Sequence, residues 1–169
     1  SQDHAESSIK NLLKPNESII VEDFIKGIEL SSIYICNPNA SKKTIGLPWV
    51  KDYKSRDEYN SGPNTGGMGA ITHPYCSFKK NDVYSLNTEI EKIIIKTIVS
   101  INNSSGDQSN YNGFLYLGLM ISTEDNKPYL LEYNCRMGDP ETQNLMMYLY
   151  NNDVDFLDLI GFNNSEYPD

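Results

Sequence analysis

Three groups of residues in this chain are of types and spacings that do chemistry. The first is Gly62-Pro63-Asn64-Thr65-Gly66-Gly67-Met68-Gly69-Ala70. Glycines let backbone N–H groups close on an anion with no Cβ in the way, and they accept positive φ. The stretch lacks the Gly-Lys-Ser/Thr of a P-loop and the spacing of a dinucleotide GxGxxG, so it is neither. Read from glycine density alone, a flexible structural loop competes evenly with a binding loop. The second group is Leu131-Glu132-Tyr133-Asn134-Cys135-Arg136-Met137-Gly138-Asp139-Pro140-Glu141-Thr142. On a strand, Glu132 and Asn134 point to one face. A carboxylate and an amide oxygen so placed suit Mg²⁺, which takes oxygen ligands and shares them with phosphates and water. Arg136 continues the spacing and offers a planar, permanently charged fork to a phosphate or carboxylate. The competing reading is an edge strand with solvated polar residues, and buried flanks at Tyr129, Leu131 and Tyr133 fit both. The third group is Glu22-Asp23-Phe24-Ile25-Lys26-Gly27-Ile28-Glu29, with two carboxylates seven residues apart. Taken alone, such charges at strand ends are usually solvated. His73, beside Pro74, is assigned no catalytic role.

These groups need elements to hold them. A short helix is predicted over 2–13, stopped by Pro15-Asn16. Strands are predicted over 18–24, 29–37 and 44–50, from β-branched content and bounding turn residues. Residues 51–75 show no periodicity and read as one long functional loop. Ile90, Ile93, Ile94, Thr97, Ile98 and Ile101 repeat at helical spacing and predict a helix over 88–101 whose stripe is core. Residues 102–112 read as a polar linker. Phe114 to Ile121 is almost continuously apolar, as in a strand covered on both faces. A turn over 123–127 returns the chain antiparallel over 128–133. A helix begins near Pro140, and 153–160 reads as one more short helix. The fold class is therefore α+β.

The chain has 169 residues, 38% hydrophobic and 22% charged, a globular composition. Its net charge of −9 disfavours nucleic acid as a partner, because phosphate backbones need a basic face. A local phosphate site stays compatible with it. Cys36, Cys76 and Cys135 are widely spaced, with no CxxC, so reduced thiols in a cytoplasmic protein are expected in place of a disulfide framework or zinc site. No apolar run reaches membrane-spanning length, and no membrane partner is expected. The chain opens Ser1-Gln2-Asp3-His4, which predicts the interior of a longer protein.

Together the groups resemble the phosphoribosylamine–glycine ligase family. Gly62 to Ala70 is similar, nearly letter for letter, to that family's Gly-rich signature. Asn134 to Gln143 resembles its second signature, with Met137 where Phe is common, and Phe114 to Ile121 resembles the strand before it. The resemblance runs from about Ile19 to Ile160. It implies part of an ATP-grasp domain over 1–160, comprising its C-terminal lobe and some of the adenine-binding hinge, with 161–169 a tail toward a further domain. It implies ATP and Mg²⁺ or Mn²⁺ as cofactors, and glycine and 5-phosphoribosylamine as substrates.

Residue by residue, the resemblance puts Glu22 at the adenine amino group, the backbone near Phe24 and Ile25 along the adenine edge, and Glu29 at the ribose hydroxyls. Glu132 and Asn134 match the metal ligands. Arg136 falls near the phosphates or acyl phosphate, and Lys54 is a phosphate contact, both as catalytic candidates. Asp52, Gly66, Gly67, Met68 and Gly69 fall on the substrate side, and Asp139 and Glu141 shape the amine-substrate pocket. Tyr53 stands where the family often has His, and Ser55 where a basic residue is common; these departures bear on loop geometry. The family site also uses lysines and a Gly-rich loop from a lobe preceding Glu22, so partner domains of the same enzyme are implied, with fused pathway enzymes as a further option, and activity of this stretch alone is not expected. Two other readings share part of this pattern: a different ATP-grasp carboxylate–amine ligase, which would not carry Gly62–Ala70 in this form, and a non-catalytic remnant, against which the intact Glu132/Asn134 pair argues.

Overall fold

The computed structural model describes residues 2–13, 18–39, 43–72, 78–104 and 110–161. In chain order its elements are helix α1 (Gln2–Leu12), strands β1 (Gly27–Cys36), β2 (Thr44–Gly46), β3 (Val50–Asp52) and β4 (Ser55–Asp57), a 3-10 turn at Glu58–Asn60, strands β5 (Ser61–Asn64) and β6 (Ala70–Thr72), helix α2 (Lys80–Ser104), strands β7 (Gly113–Ser122) and β8 (Pro128–Asn134), and helices α3 (Glu141–Asn151) and α4 (Phe156–Leu159). Every described pairing is antiparallel. The main sheet runs β6-β3-β1-β7-β8, with β2 also on β1; β4 and β5 form a separate pair.

The sheet is organised by β1 and β7, which pair along their full length from Gly27↔Ser122 to Cys36↔Gly113. Their near-continuous apolar content is explained by two cores, one on each face. Leu30, Tyr34 and Cys36 of β1, with Leu115, Leu117, Leu119 and Ile121 of β7, meet Leu86, Ile90 and Ile94 of α2. Ile33, Ile35 and Tyr116 point the other way and pack with Val50 and with Leu145 of α3. Alternating side chains thus feed alternate cores, the arrangement a doubly covered strand requires.

The helix predicted over 88–101 extends to Lys80–Ser104, because Val83 and Leu86 continue the stripe onto the same core. Residues 105–109 of the expected linker lie outside the described residues, as do His73, Pro74 and Cys76. The single strand expected over 44–50 is two strands separated by Leu47-Pro48-Trp49, both laid against β1. Proline has no N–H to give a ladder, and the chain is kept on course by the Leu47 N–H donating to the Ile33 carbonyl at 2.8 Å. The strand expected over 18–24 does not form. Those residues form no regular element, and Ile20, Val21 and Phe24 are 74–91% exposed; β-branched content alone does not make a strand without an edge to pair with.

The long loop expected over 51–75 is also corrected. Its described part holds β3, β4, β5 and β6. The Gly-rich stretch is tied back by backbone bonds from Thr65 N–H to the Lys54 carbonyl at 2.7 Å, Met68 N–H to Tyr53 at 2.7 Å, and Tyr53 N–H to Gly69 at 2.9 Å. These strands are three or four residues long, and β4 and β5 are polar, so no alternation announces them. The helix expected over 153–160 shrinks to Phe156–Leu159, its first turn capped by the Asp155 carboxylate accepting from the Leu157 N–H.

Candidate active-site cleft

β8 is an edge strand, and its pairing with β7 contains one irregularity. Gly118 faces Glu132, but Leu119 faces Leu130, which leaves Leu131 as the extra residue of a bulge. A bulge changes which face the neighbouring side chains take. Tyr133 therefore stands opposite Leu117, on the α2 side, where its hydroxyl is 2.5 Å from Thr97 Oγ1. Tyr129 stands opposite Met120, and its hydroxyl donates to Asp125 at 3.0 Å. The flanks expected to be buried are not: Tyr129, Leu131 and Tyr133 are each about 40% exposed, as the last strand of a sheet allows.

Beyond the bulge, Glu132 stands opposite Gly118 and Asn134 opposite Tyr116, so both belong to the α3 face, as the spacing predicted. One rung crosses the sheet as Thr72–Val50–Ser31–Gly118–Glu132. Gly118 makes that rung possible, because a Cβ there would lie 2.8 Å from Glu132 Cγ.

A cleft of about 220 Å³ opens over this face, lined by Asp52, Lys54, Thr65, Gly66, Tyr116, Glu132, Asn134, Arg136, Gly138, Asp139 and Glu141. The tertiary fold thus brings together residues more than eighty positions apart in the chain. Gly67 holds the rim: its φ is +134°, and a Cβ would meet Pro140 Cδ at 2.5 Å and Asp52 Oδ1 at 3.2 Å. That docks the Gly-rich stretch against Asp139-Pro140, whose peptide bond is cis. Met68 is exposed, and Gly69, also at positive φ, has open space where a Cβ would stand.

The cleft is acidic at its floor. Asp52 is 8% exposed, and its Oδ1 has no hydrogen-bond partner. Burial raises its pKa, with the Glu141 charge adding to the effect and Lys54 opposing it. Lys54 donates to Glu29 Oε1 in a close ion pair. Burial works against its charge, but Glu29, with Asp52 and Glu132 nearby, outweighs that and raises its pKa. Glu141, in the first turn of α3, is 2% exposed. Its Oε1 accepts from Ser31 Oγ at 2.8 Å and from the Tyr116 hydroxyl at 2.9 Å. At the mouth, Arg136 donates to the Met137 carbonyl at 2.9 Å, and Asp139 accepts from Gln143 at 2.9 Å. Glu22, Phe24 and Ile25 do not join the cleft; they lie on the 18–26 segment, where Glu22 and Phe24 are exposed and Ile25 is partly buried.

Glu132 and Asn134 supply oxygen donors of the kind Mg²⁺ and Mn²⁺ accept. Among the described residues no three His, Cys, Asp or Glu side chains gather as a metal cage. The donor set fits an ion that completes its shell with phosphate and water, not one held by protein alone. Spacing could not reveal Ser31, Thr65, Tyr116 or Gly118. The one available signal was Ser31-Ser32 inside an otherwise apolar strand, since hydroxyls in such a setting must find buried partners.

The chain matches the family model described as phosphoribosylglycinamide synthetase, ATP-grasp (A) domain, over residues 1–142. It is 36% identical over 157 residues to the phosphoribosylamine–glycine ligase of Clostridium acetobutylicum, covering 90% of this chain and 33% of the relative. It is 38% identical over 128 residues to that of Thermotoga maritima, covering 74% and 28%. The crystal structure of the Thermotoga maritima ligase superposes with a TM-score of 0.63 at 34% identity, covering 87% of this chain and 34% of that one. The chain thus spans about a third of the length of the curated relatives it matches. With the sheet, the Gly-rich stretch and the acidic cleft in place, this chain belongs to the ATP-grasp domain family of phosphoribosylglycinamide synthetases.

Proposed function

We propose that the protein carrying this chain joins glycine to 5-phosphoribosylamine at the expense of ATP, giving glycinamide ribonucleotide, ADP and phosphate. The observation that carries this reading is the meeting of Lys54, Glu132, Asn134 and Arg136 with the Gly-rich stretch in one cleft of an ATP-grasp sheet. In this reading glycine's carboxylate attacks the γ-phosphate, and the amine of phosphoribosylamine then displaces phosphate from the glycyl phosphate. Catalysis is mainly positioning and charge neutralisation.

Glu132 and Asn134 would hold Mg²⁺ or Mn²⁺. The ion supplies charge neutralisation for the phosphate oxygens. Lys54 and Arg136 contact the transferring phosphoryl group and the acyl phosphate. Glu29 uses Oε1 for Lys54, leaving Oε2 for the ribose hydroxyls. Glu22, Phe24 and Ile25 of the 18–26 segment meet the adenine. Gly66, Gly67, Met68 and Gly69 with Asp52, Asp139 and Glu141 border the amine substrates, the two buried carboxylates matching a positively charged ammonium. The same reading puts the enzyme in the cytoplasm; the tail expected over 161–169 lies, beyond Gly161, outside the described residues.

The test is ADP release by the full-length gene product with each substrate omitted in turn. Dependence on both glycine and phosphoribosylamine is expected, with Glu132→Gln lowering turnover at least about 100-fold, as loss of a charge-stabilising group does. Dependence on another carboxylic acid would overturn the assignment, and full activity of Glu132→Gln would remove that residue from it.

A further inference from the structure

We infer that Ser31 and Tyr116 are positioning residues that set the orientation of the Glu141 carboxylate, and through it the binding of a primary amine in the cleft. This rests on the functional reading above for the identity of the amine, but not for the arrangement of the three side chains.

Ser31 and Tyr116 come from β1 and β7, and Glu141 from the first turn of α3; the three are 3%, 5% and 2% exposed. Ser31 Oγ and Tyr116 Oη lie 2.7 Å apart, and both are within 2.9 Å of Glu141 Oε1. The two hydroxyls own two protons between them. Three close contacts share those two protons, so at least one hydroxyl donates to the carboxylate while the other donates to it or to its hydroxyl neighbour, and the three groups lock one another in place. Burial is the main cause of the raised Tyr116 pKa, and the neighbouring Glu141 charge adds to it, so the phenol remains a donor throughout the working range.

The consequence is directional. With Oε1 engaged from the sheet side, Oε2 is the carboxylate oxygen that these two hydroxyls leave free of their own contacts. That oxygen lies over Gly138, where an added Cβ would come within 2.3 Å of it. Gly138 is part of the cleft lining, as is Asp52, whose buried Oδ1 has no partner. An ammonium group brings several N–H donors and a positive charge. It would give the orphaned Asp52 oxygen a partner and a counter-charge to Glu141, which lines the same cleft, and an orphaned buried oxygen is costly until something pairs with it. Neither hydroxyl needs to touch the ligand. Each acts by denying the carboxylate its other rotamers.

The test is a set of double-mutant cycles on the full-length protein, pairing Tyr116→Phe and, separately, Ser31→Ala with Glu141→Gln. Both substitutions remove a hydroxyl and little else. Losing one hydrogen bond to a charged group should raise the KM for the amine-bearing substrate about tenfold, with the KM for ATP within about twofold. Measuring glycine and phosphoribosylamine separately identifies which amine is held. In the Glu141→Gln background the same substitutions should change that KM no further. Equal rises for all substrates, no rise in a variant that unfolds at the wild-type temperature, or effects that multiply independently of Glu141 would each overturn the inference. The same cycles read in thermal unfolding need no substrate: coupling there, with no glycine turnover by the wild type, would sink the ligase reading and leave the positioning standing, whereas additivity would sink the positioning.

Discussion

Replacing Gly118 by alanine isolates the Glu132 side of the cleft, where the proposed function puts the metal. The added Cβ would lie 2.8 Å from Glu132 Cγ and 3.5 Å from its Oε1. Carbon atoms in contact sit at about 3.5–4.0 Å, so the Glu132 side chain must withdraw by roughly 1 Å. The backbone will not yield, because β7 is paired on both sides, to β1 and to β8. Withdrawal costs about 0.5–1.5 kcal/mol of rotamer energy, offset by the ~0.5–1 kcal/mol gained on replacing a strand glycine. Net stability should thus move by less than ~1 kcal/mol, or no more than about 4 °C in Tm. Function should move much more, since metal–ligand distances tolerate only about 0.2 Å and comparable disturbances around a site cost about 10–100-fold in metal affinity. Calorimetric titration of the full-length protein with Mn²⁺ and ADP, beside thermal unfolding, measures both. Unchanged metal-dependent nucleotide affinity in a variant of wild-type Tm would refute the reasoning, because Glu132 would then be free to move without consequence.

Two further perturbations test the other walls of the cleft. Gly67→Ala places a side chain at φ +134° and against Pro140 Cδ, so denaturant unfolding should show a loss of about 1–3 kcal/mol; none would mean the Gly-rich stretch does not dock on Asp139-Pro140. Asp52→Asn should raise Tm at neutral pH. The folded-state pKa of Asp52 is raised, so its contribution is most favourable below the unfolded value of about 3.9 and is lost as pH climbs through the folded one. The variant's advantage should therefore vanish in acid, and a Tm gain independent of pH would contradict the buried, repelled carboxylate.

Much of the scaffold was legible in the chain itself because it depends on local periodicity. The apolar run at 114–121 and the helical stripe beginning at Ile90 state how many faces each element must bury: the strand feeds both cores and the helix one. Parity placed Glu132 and Asn134 on one face, and so they are. Periodicity is silent about pairing across distance. The bulge at Leu131 parts Tyr129 from Tyr133, and only the register against β7 decides it. The short polar strands β4 and β5 exist through backbone bonds that no side-chain pattern encodes. The segment 18–26 has strand-forming residues but no described strand beside it, so propensity alone was insufficient. The chemistry divides in the same way. Residue types within a few positions named the oxygen donors and the glycines, whereas the Ser31–Tyr116–Glu141 cluster joins positions 85 and 110 apart. Those hydroxyls become partners of one buried carboxylate only when β1, β7 and α3 close on one another, because a hydrogen bond between such distant groups is a property of the folded packing and not of the chain.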